Sequence, residues 1–208
     1  MSRPTVILLH GLWLRGIAMS YLSRRLDAAG FDAQTFDYAT VRDGIDVASG
    51  RLRDLIGTFG SSQVHLVGHS LGGLVAALIV QRHPELIDGR IVCLGAPLRG
   101  SAAARSLKGI PGGSAMLGRS IELLENGLER WDGPQQLGVI AGRLPIGLGF
   151  LLGGVTAPHD GTVAVEETRL PGITDHRVIS AAHTGLVYSD LAAQHTIAFL
   201  RGGRFGAE

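Results

Sequence analysis

A chain of 208 residues, 45% hydrophobic and 18% charged, is long enough to bury one full core and too apolar for a disordered segment. A formal net charge of +1, with Lys108 the sole lysine and no basic block, gives no footing for nucleic acid or an anionic membrane surface. The single cysteine, Cys93, excludes an intramolecular disulfide and a multi-thiolate metal site.

The sequence enters a strand-like run almost at once, PTVILL at 4–9. No basic segment with an apolar stretch and a small-residue cleavage site precedes it in the sequence as given, so a cytoplasmic location is expected. Helix 16–29 and strand 32–37 (DAQTFD) follow. Next comes helix 45–58, where Ile45, Ala48, Leu52, Leu55, Ile56 and Phe59 recur at helical spacing. Strand 63–67 (QVHLV) leads into helix 71–83, which stops before Pro84. Strands at 90–95 (RIVCLG), 137–141 (LGVIA) and 176–180 (HRVIS) and a final helix at 189–201 complete the order.

Alternating strands and helices predict an α/β fold in one domain spanning 1–208. The expected sheet is mostly parallel, with about six strands and helices on both faces. The rhythm breaks between 98 and 136, where more residues lie than a crossover helix needs. MLGRSIELLENGLERW there reads as a helix with Ile121, Leu124 and Leu128 on one face, so 98–136 is a candidate cap. The apolar stretch at 144–158, LPIGLGFLLGGVTAP, is broken by glycine and proline. It is shorter than the ~20 residues that span a bilayer, so no transmembrane segment is expected.

The most informative run is VHLVGHSLGGLVAAL, residues 64–78. Ser70 stands where a strand turns into a helix, at the carboxyl edge of the sheet, where open parallel sheets bind ligands. A tight turn there brings main chain close, and Gly68 and Gly72 remove the side chains that would collide. The turn exposes the hydroxyl and aims the first helical N–H groups at the same spot, which suits a nucleophile that generates an oxyanion. G-x-S-x-G between a strand and a helix is a nucleophile elbow.

A serine needs a base and an orienting acid, expected in the order serine, acid, histidine. Among the later histidines, His183 follows the strand RVIS at the carboxyl edge and is the best base, with His159 in reserve. Asp160, in the loop APHDGTVAVEET, is the best acid. Glu166 and Glu167 remain possible but read as surface positions, and Asp175 and His176 start a strand at the opposite edge. The oxyanion donors expected are the N–H groups of Leu71, after the serine, and Leu12, in the loop His10-Gly11-Leu12 after the first strand. His10 reads as a structural holder of that loop and His69 as a wall of the pocket. His65 and His69 are four apart like a helical zinc pair, but they straddle a strand and lie ~13 Å apart along it. No metal and no cofactor are expected.

These motifs resemble a known family. HG after the first strand, GHSLGG at the elbow, APLRGS after the next strand, and DGTV followed by a histidine loop ending HTGLVYS are similar to the small lipases and esterases of the α/β-hydrolase superfamily. The resemblance implies a minimal α/β-hydrolase fold, with Ser70 as nucleophile, Asp160 and His183 as its partners, and Leu12 and Leu71 as backbone donors. It also implies a small-molecule ester or lipid substrate. Trp13, Leu124 and the stretch LPIGLGFLLGG are candidate linings of an apolar acyl pocket. Carboxylic ester cleavage is the favoured activity. An acyl-thioesterase or amidase on the same residues, or a catalytically idle binding protein, are the alternatives.

Overall fold

The computed structural model describes residues 3–60, 63–147 and 155–206. Its strands are β1 (Thr5–Leu9), β2 (Asp32–Phe36), β3 (Val64–His69), β4 (Ile91–Leu94), β5 (Leu137–Gly142) and β6 (Asp175–Ile179). They form one sheet in the order β2-β1-β3-β4-β5-β6. All five pairings are parallel. Each expected strand lies within two residues of its predicted bounds.

The alternation of side chains along the strands divides the core into two layers. Ile7, Leu9, Leu66, Ile91, Cys93, Leu137 and Val139 face one side. There they meet α2 (Ile45–Gly57) and α3 (Leu71–Arg82), through residues such as Ala48, Leu52, Leu74 and Ile79. Val6, Leu8, Val67, Val92, Leu94 and Ile140 face the other. They pack against Leu22 and Leu26 of α1 (Ser20–Ala28) and against Ala192, Phe199 and Leu200 of the C-terminal helix, Asp190–Gly202. Both faces are therefore covered, which explains why the strands read as continuous apolar runs. Each fully buried Leu or Ile adds about 1.5–3 kcal/mol of burial free energy.

Residues 98–136 differ from expectation in one respect. MLGRSIELLENGLERW is not one helix. It forms the end of α5 (Gly113–Leu117), a 3-10 turn and α6 (Ile121–Asn126), preceded by α4 (Ala102–Lys108). Gly118 at φ +56° and Gly127 at φ +63° sit at the breaks, in the left-handed region that ends helices. The apolar stripe survives the break. Leu124 and Leu128 are buried and Ile121 partly so, all packed into the layer that holds Leu107, Leu117 and Leu98. The C-terminal helix is α7 in this numbering.

Candidate active site

The turn from β3 into α3 is as tight as the glycine pattern requires. A Cβ on Gly68 would lie 2.4 Å from the carbonyl carbon of Gly72 and from the Cα of Gly73. A Cβ on Gly72 would lie 2.3 Å from the Leu9 carbonyl oxygen at the end of β1. Ser70 is left at φ 55°, one of two non-glycine residues with positive φ among those described. Its strained backbone is held by neighbours on both sides, including its own N–H, which donates to the Leu94 carbonyl of β4 at 2.8 Å.

Ser70, His183 and Asp160 form one hydrogen-bonded series. His183 Nε2 lies 3.0 Å from Ser70 Oγ, and His183 Nδ1 lies 2.7 Å from Asp160 Oδ2. Asp160 is 1% exposed. Its Oδ1 accepts from the N–H groups of Thr162 (2.9 Å) and Val163 (2.7 Å), and its carbonyl accepts from the His183 N–H (2.8 Å). The Asp160-Gly161 pair is thus a turn that also fixes the carboxylate. With Oδ1 occupied by two donors, Oδ2 receives the proton of His183 Nδ1, and Nε2 is left as an acceptor towards the Ser70 hydroxyl.

His69 is 1% exposed, its ring centroid 4.8 Å from that of His183. Its Nε2 donates to the His183 carbonyl at 3.0 Å, so His183 is held from this side too. Burial, reinforced by the neighbouring His183, pushes the His69 pKa down to about 3, and the ring stays neutral. Gly11 packs against this pair, with a Cβ on it falling 3.1 Å from both His69 Nδ1 and Ser70 Cβ. The Gly11–Leu12 peptide therefore lies beside Ser70, and Leu71 opens α3.

Trp13 has φ 59° and is 49% exposed, and its indole N–H donates to the Met116 carbonyl at 2.9 Å. The loop after β1 is in this way tied to α5. Leu124 is buried in the core layer with Leu107 and Leu117, away from solvent. A charge at Leu124 would therefore test folding before it tested substrate. Of the apolar stretch 144–154, residues 148–154 lie outside the described residues, while Leu144 and Ile146 are exposed.

Two positions escaped the sequence reading. Gly95, after β4, would place a Cβ 3.1 Å from Asp160 Oδ2 and 3.2 Å from His183 Nδ1, so it makes room for that pair. A glycine closing a strand at the carboxyl edge was the available signal. Glu167 is not a surface residue, with a side chain only 13% exposed. Its carboxylate accepts from Ala164 N–H in the Asp160 loop and from Ala102 N–H at the start of α4. Glu166 is the exposed one, paired with Arg99.

Two buried histidines, His65 and His69, and the partly buried His176 give the stability a pH dependence. Burial lowers His65 and His176 to about 4, helped by the nearby Arg90 and Arg169 respectively, and His69 to about 3. Each group binds its proton more readily in the unfolded chain, at about 6.5. Below that pH the unfolded state takes up protons that the folded state refuses, and stability is lost progressively down to the folded values. The melting temperature is expected to be level above pH 7 and to fall steeply from about 6.5 to about 4. His65→Gln should flatten part of that fall in a pH series of thermal melts.

A sequence profile of the family described as the alpha/beta hydrolase family matches residues 6–196. The chain belongs to the α/β-hydrolase family. Among curated relatives, this hydrolase-family chain is 28% identical over 113 residues to epoxide hydrolase 1 of Caenorhabditis elegans, covering 50% of this chain and 28% of that protein. It is 30% identical over 99 residues to the pimeloyl-[acyl-carrier protein] methyl ester esterase of Aeromonas salmonicida, covering 45% and 39%. The chain thus spans about a third of the length of the curated relatives it matches. A solved lipase from Bacillus licheniformis in its mature form superposes with a TM-score of 0.75 at 20% identity, over 95% of this chain and 91% of that one. A monoacylglycerol lipase from Paleococcus ferrophilus gives 0.64 at 17% identity, over 96% of each chain. At such identities the likeness is one of fold. No helix among the described residues is long and apolar enough to cross a membrane.

Proposed function

We propose that the protein is a serine hydrolase that cleaves carboxylic esters with an apolar acyl chain. The observation that carries the reading is the series Ser70 Oγ, His183 Nε2, His183 Nδ1 and Asp160 Oδ2, at 3.0 and 2.7 Å. In this reading His183 takes the Ser70 proton as Oγ attacks the ester carbonyl, and Asp160 stabilises the imidazolium that forms. The N–H groups of Leu12 and Leu71 receive the oxyanion. His183 then protonates the departing alcohol, and a water, deprotonated by the same ring, releases the acid from Ser70. Ser70, and not a carboxylate, stands at the elbow, so the intermediate is an acyl ester of serine.

The preference for apolar acyl groups rests on Trp13 and Met116, half-exposed and joined by a hydrogen bond beside the Gly11–Leu12 loop. Ile146 is 65% exposed and its main chain lies against Gly161, the residue after Asp160. A panel of p-nitrophenyl esters and acyl-thioesters of graded length tests the reading. kcat/KM on esters is expected to rise from acetate to octanoate by up to about fourfold per methylene, the equivalent of ~0.8 kcal/mol of burial. Cleavage of thioesters with no ester turnover would instead favour the thioesterase alternative. Flat ester rates across the series would remove the apolar acyl site.

A further inference from the structure

We propose that His10, braced by Asp37, is a positioning residue that aims the Leu12 N–H at the oxyanion. The inference rests on the serine-hydrolase reading and on Leu12 as a donor. The Gly11 carbonyl and the Leu12 N–H belong to one peptide group. In a trans peptide they point in opposite directions, so whatever fixes the carbonyl fixes the N–H. Gly11 C=O accepts from His10 Nδ1 at 3.0 Å and from the Leu14 N–H at 3.2 Å.

His10 is itself immobilised. It is fully buried, and its Nε2 meets Asp37 Oδ1 at 2.9 Å. Tyr38 stacks on the ring at 4.8 Å and donates its hydroxyl to the His10 carbonyl at 3.0 Å. A longer contact, 3.4 Å from the Tyr38 N–H to Nε2, competes with the carboxylate and is the weaker of the two. Partial burial pushes the Asp37 carboxyl up. The Gly16 N–H, the Arg15 guanidinium and His10 outweigh that and hold it below the ordinary carboxylate value, as an ionised acceptor. Thr40 completes the clamp, its Oγ1 accepting from the Trp13 N–H at 3.3 Å. The loop after β2 thus supplies Asp37, Tyr38 and Thr40 around a strained segment whose free task is to present one N–H.

Asparagine and glutamine separate the two bonds of His10. His10→Asn retains a donor near the Nδ1 position, towards Gly11 C=O. His10→Gln retains one near Nε2, towards Asp37, and leaves the Gly11 carbonyl with Leu14 alone. For p-nitrophenyl butyrate, His10→Gln should lower kcat by about 10²-fold with KM within twofold, the loss expected for one oxyanion donor. A trifluoromethyl ketone, whose serine adduct carries the same oxyanion, should bind the variant more weakly by a similar factor. His10→Asn should recover most of the lost kcat. Asp37→Ala, at a half-exposed site, should lose kcat about tenfold at unchanged KM. Thermal melts record folding for all three. Equal losses in the Asn and Gln variants, or a full kcat in Asp37→Ala, would overturn the positioning role while wild-type turnover left the hydrolase reading standing. A wild type that neither hydrolyses esters nor reacts with the ketone would overturn both.

Discussion

Ser70→Ala is expected to lower kcat on a p-nitrophenyl ester by about 10⁶-fold, the scale on which loss of a serine nucleophile acts elsewhere. The fold should survive. Serine at φ 55° already carries a Cβ in a strained turn, so alanine meets the same strain and removes only the hydroxyl. The bond lost is a single contact to His183 Nε2 at 3.0 Å. A melting temperature within a few degrees of wild type is expected for a change of this size. Turnover near the wild-type value in the folded variant would mean that another group attacks.

Asp160→Asn should cost about 10⁴ in kcat, for a reason of proton placement. The two N–H groups of Thr162 and Val163 demand an oxygen at the Oδ1 position. The amide must therefore turn its NH₂ towards His183 Nδ1, donor facing donor. His183 is driven to the other tautomer, Nε2 carries the proton, and it no longer accepts from Ser70. Glu167→Gln is the contrasting variant. Its carboxylate accepts from two N–H groups, Ala102 and Ala164, and an amide oxygen serves one of them. It should lower the melting temperature and cost about tenfold in kcat through the Asp160 loop, leaving the tautomer intact. If Glu167→Gln proved the more damaging on kcat, the acid would have to be reassigned.

The succession of strands and helices along the chain and the positions of Ser70, Asp160 and His183 were legible because each rests on a local rule, whereas the order of the strands in the sheet was not read. Apolar runs of strand length alternate with helical periodicity. G-x-S-x-G marks a turn that only small neighbours permit. A histidine a few residues past a strand must lie at the carboxyl edge. The segment 98–136 was harder to read, since helical spacing of Ile121, Leu124 and Leu128 persists through Gly118 and Gly127, where the backbone turns out of the helix. Glu167 was misread because a carboxylate in an alternating run looks solvated until its two backbone donors, 65 residues away and three residues away, are brought together. The support of His10 by Asp37 depends on the pairing of β1 with β2 across 27 residues, which no local pattern encodes.

The central claim is that Ser70 Oγ is the attacking atom, and covalent capture tests it most directly. The wild-type protein is incubated with an alkyl fluorophosphonate, weighed intact and mapped by peptide mass spectrometry. One adduct per chain on Ser70 is predicted, absent from Ser70→Ala and formed far more slowly by Asp160→Asn. An adduct on a different residue, or none on the folded wild-type chain, would contradict the account.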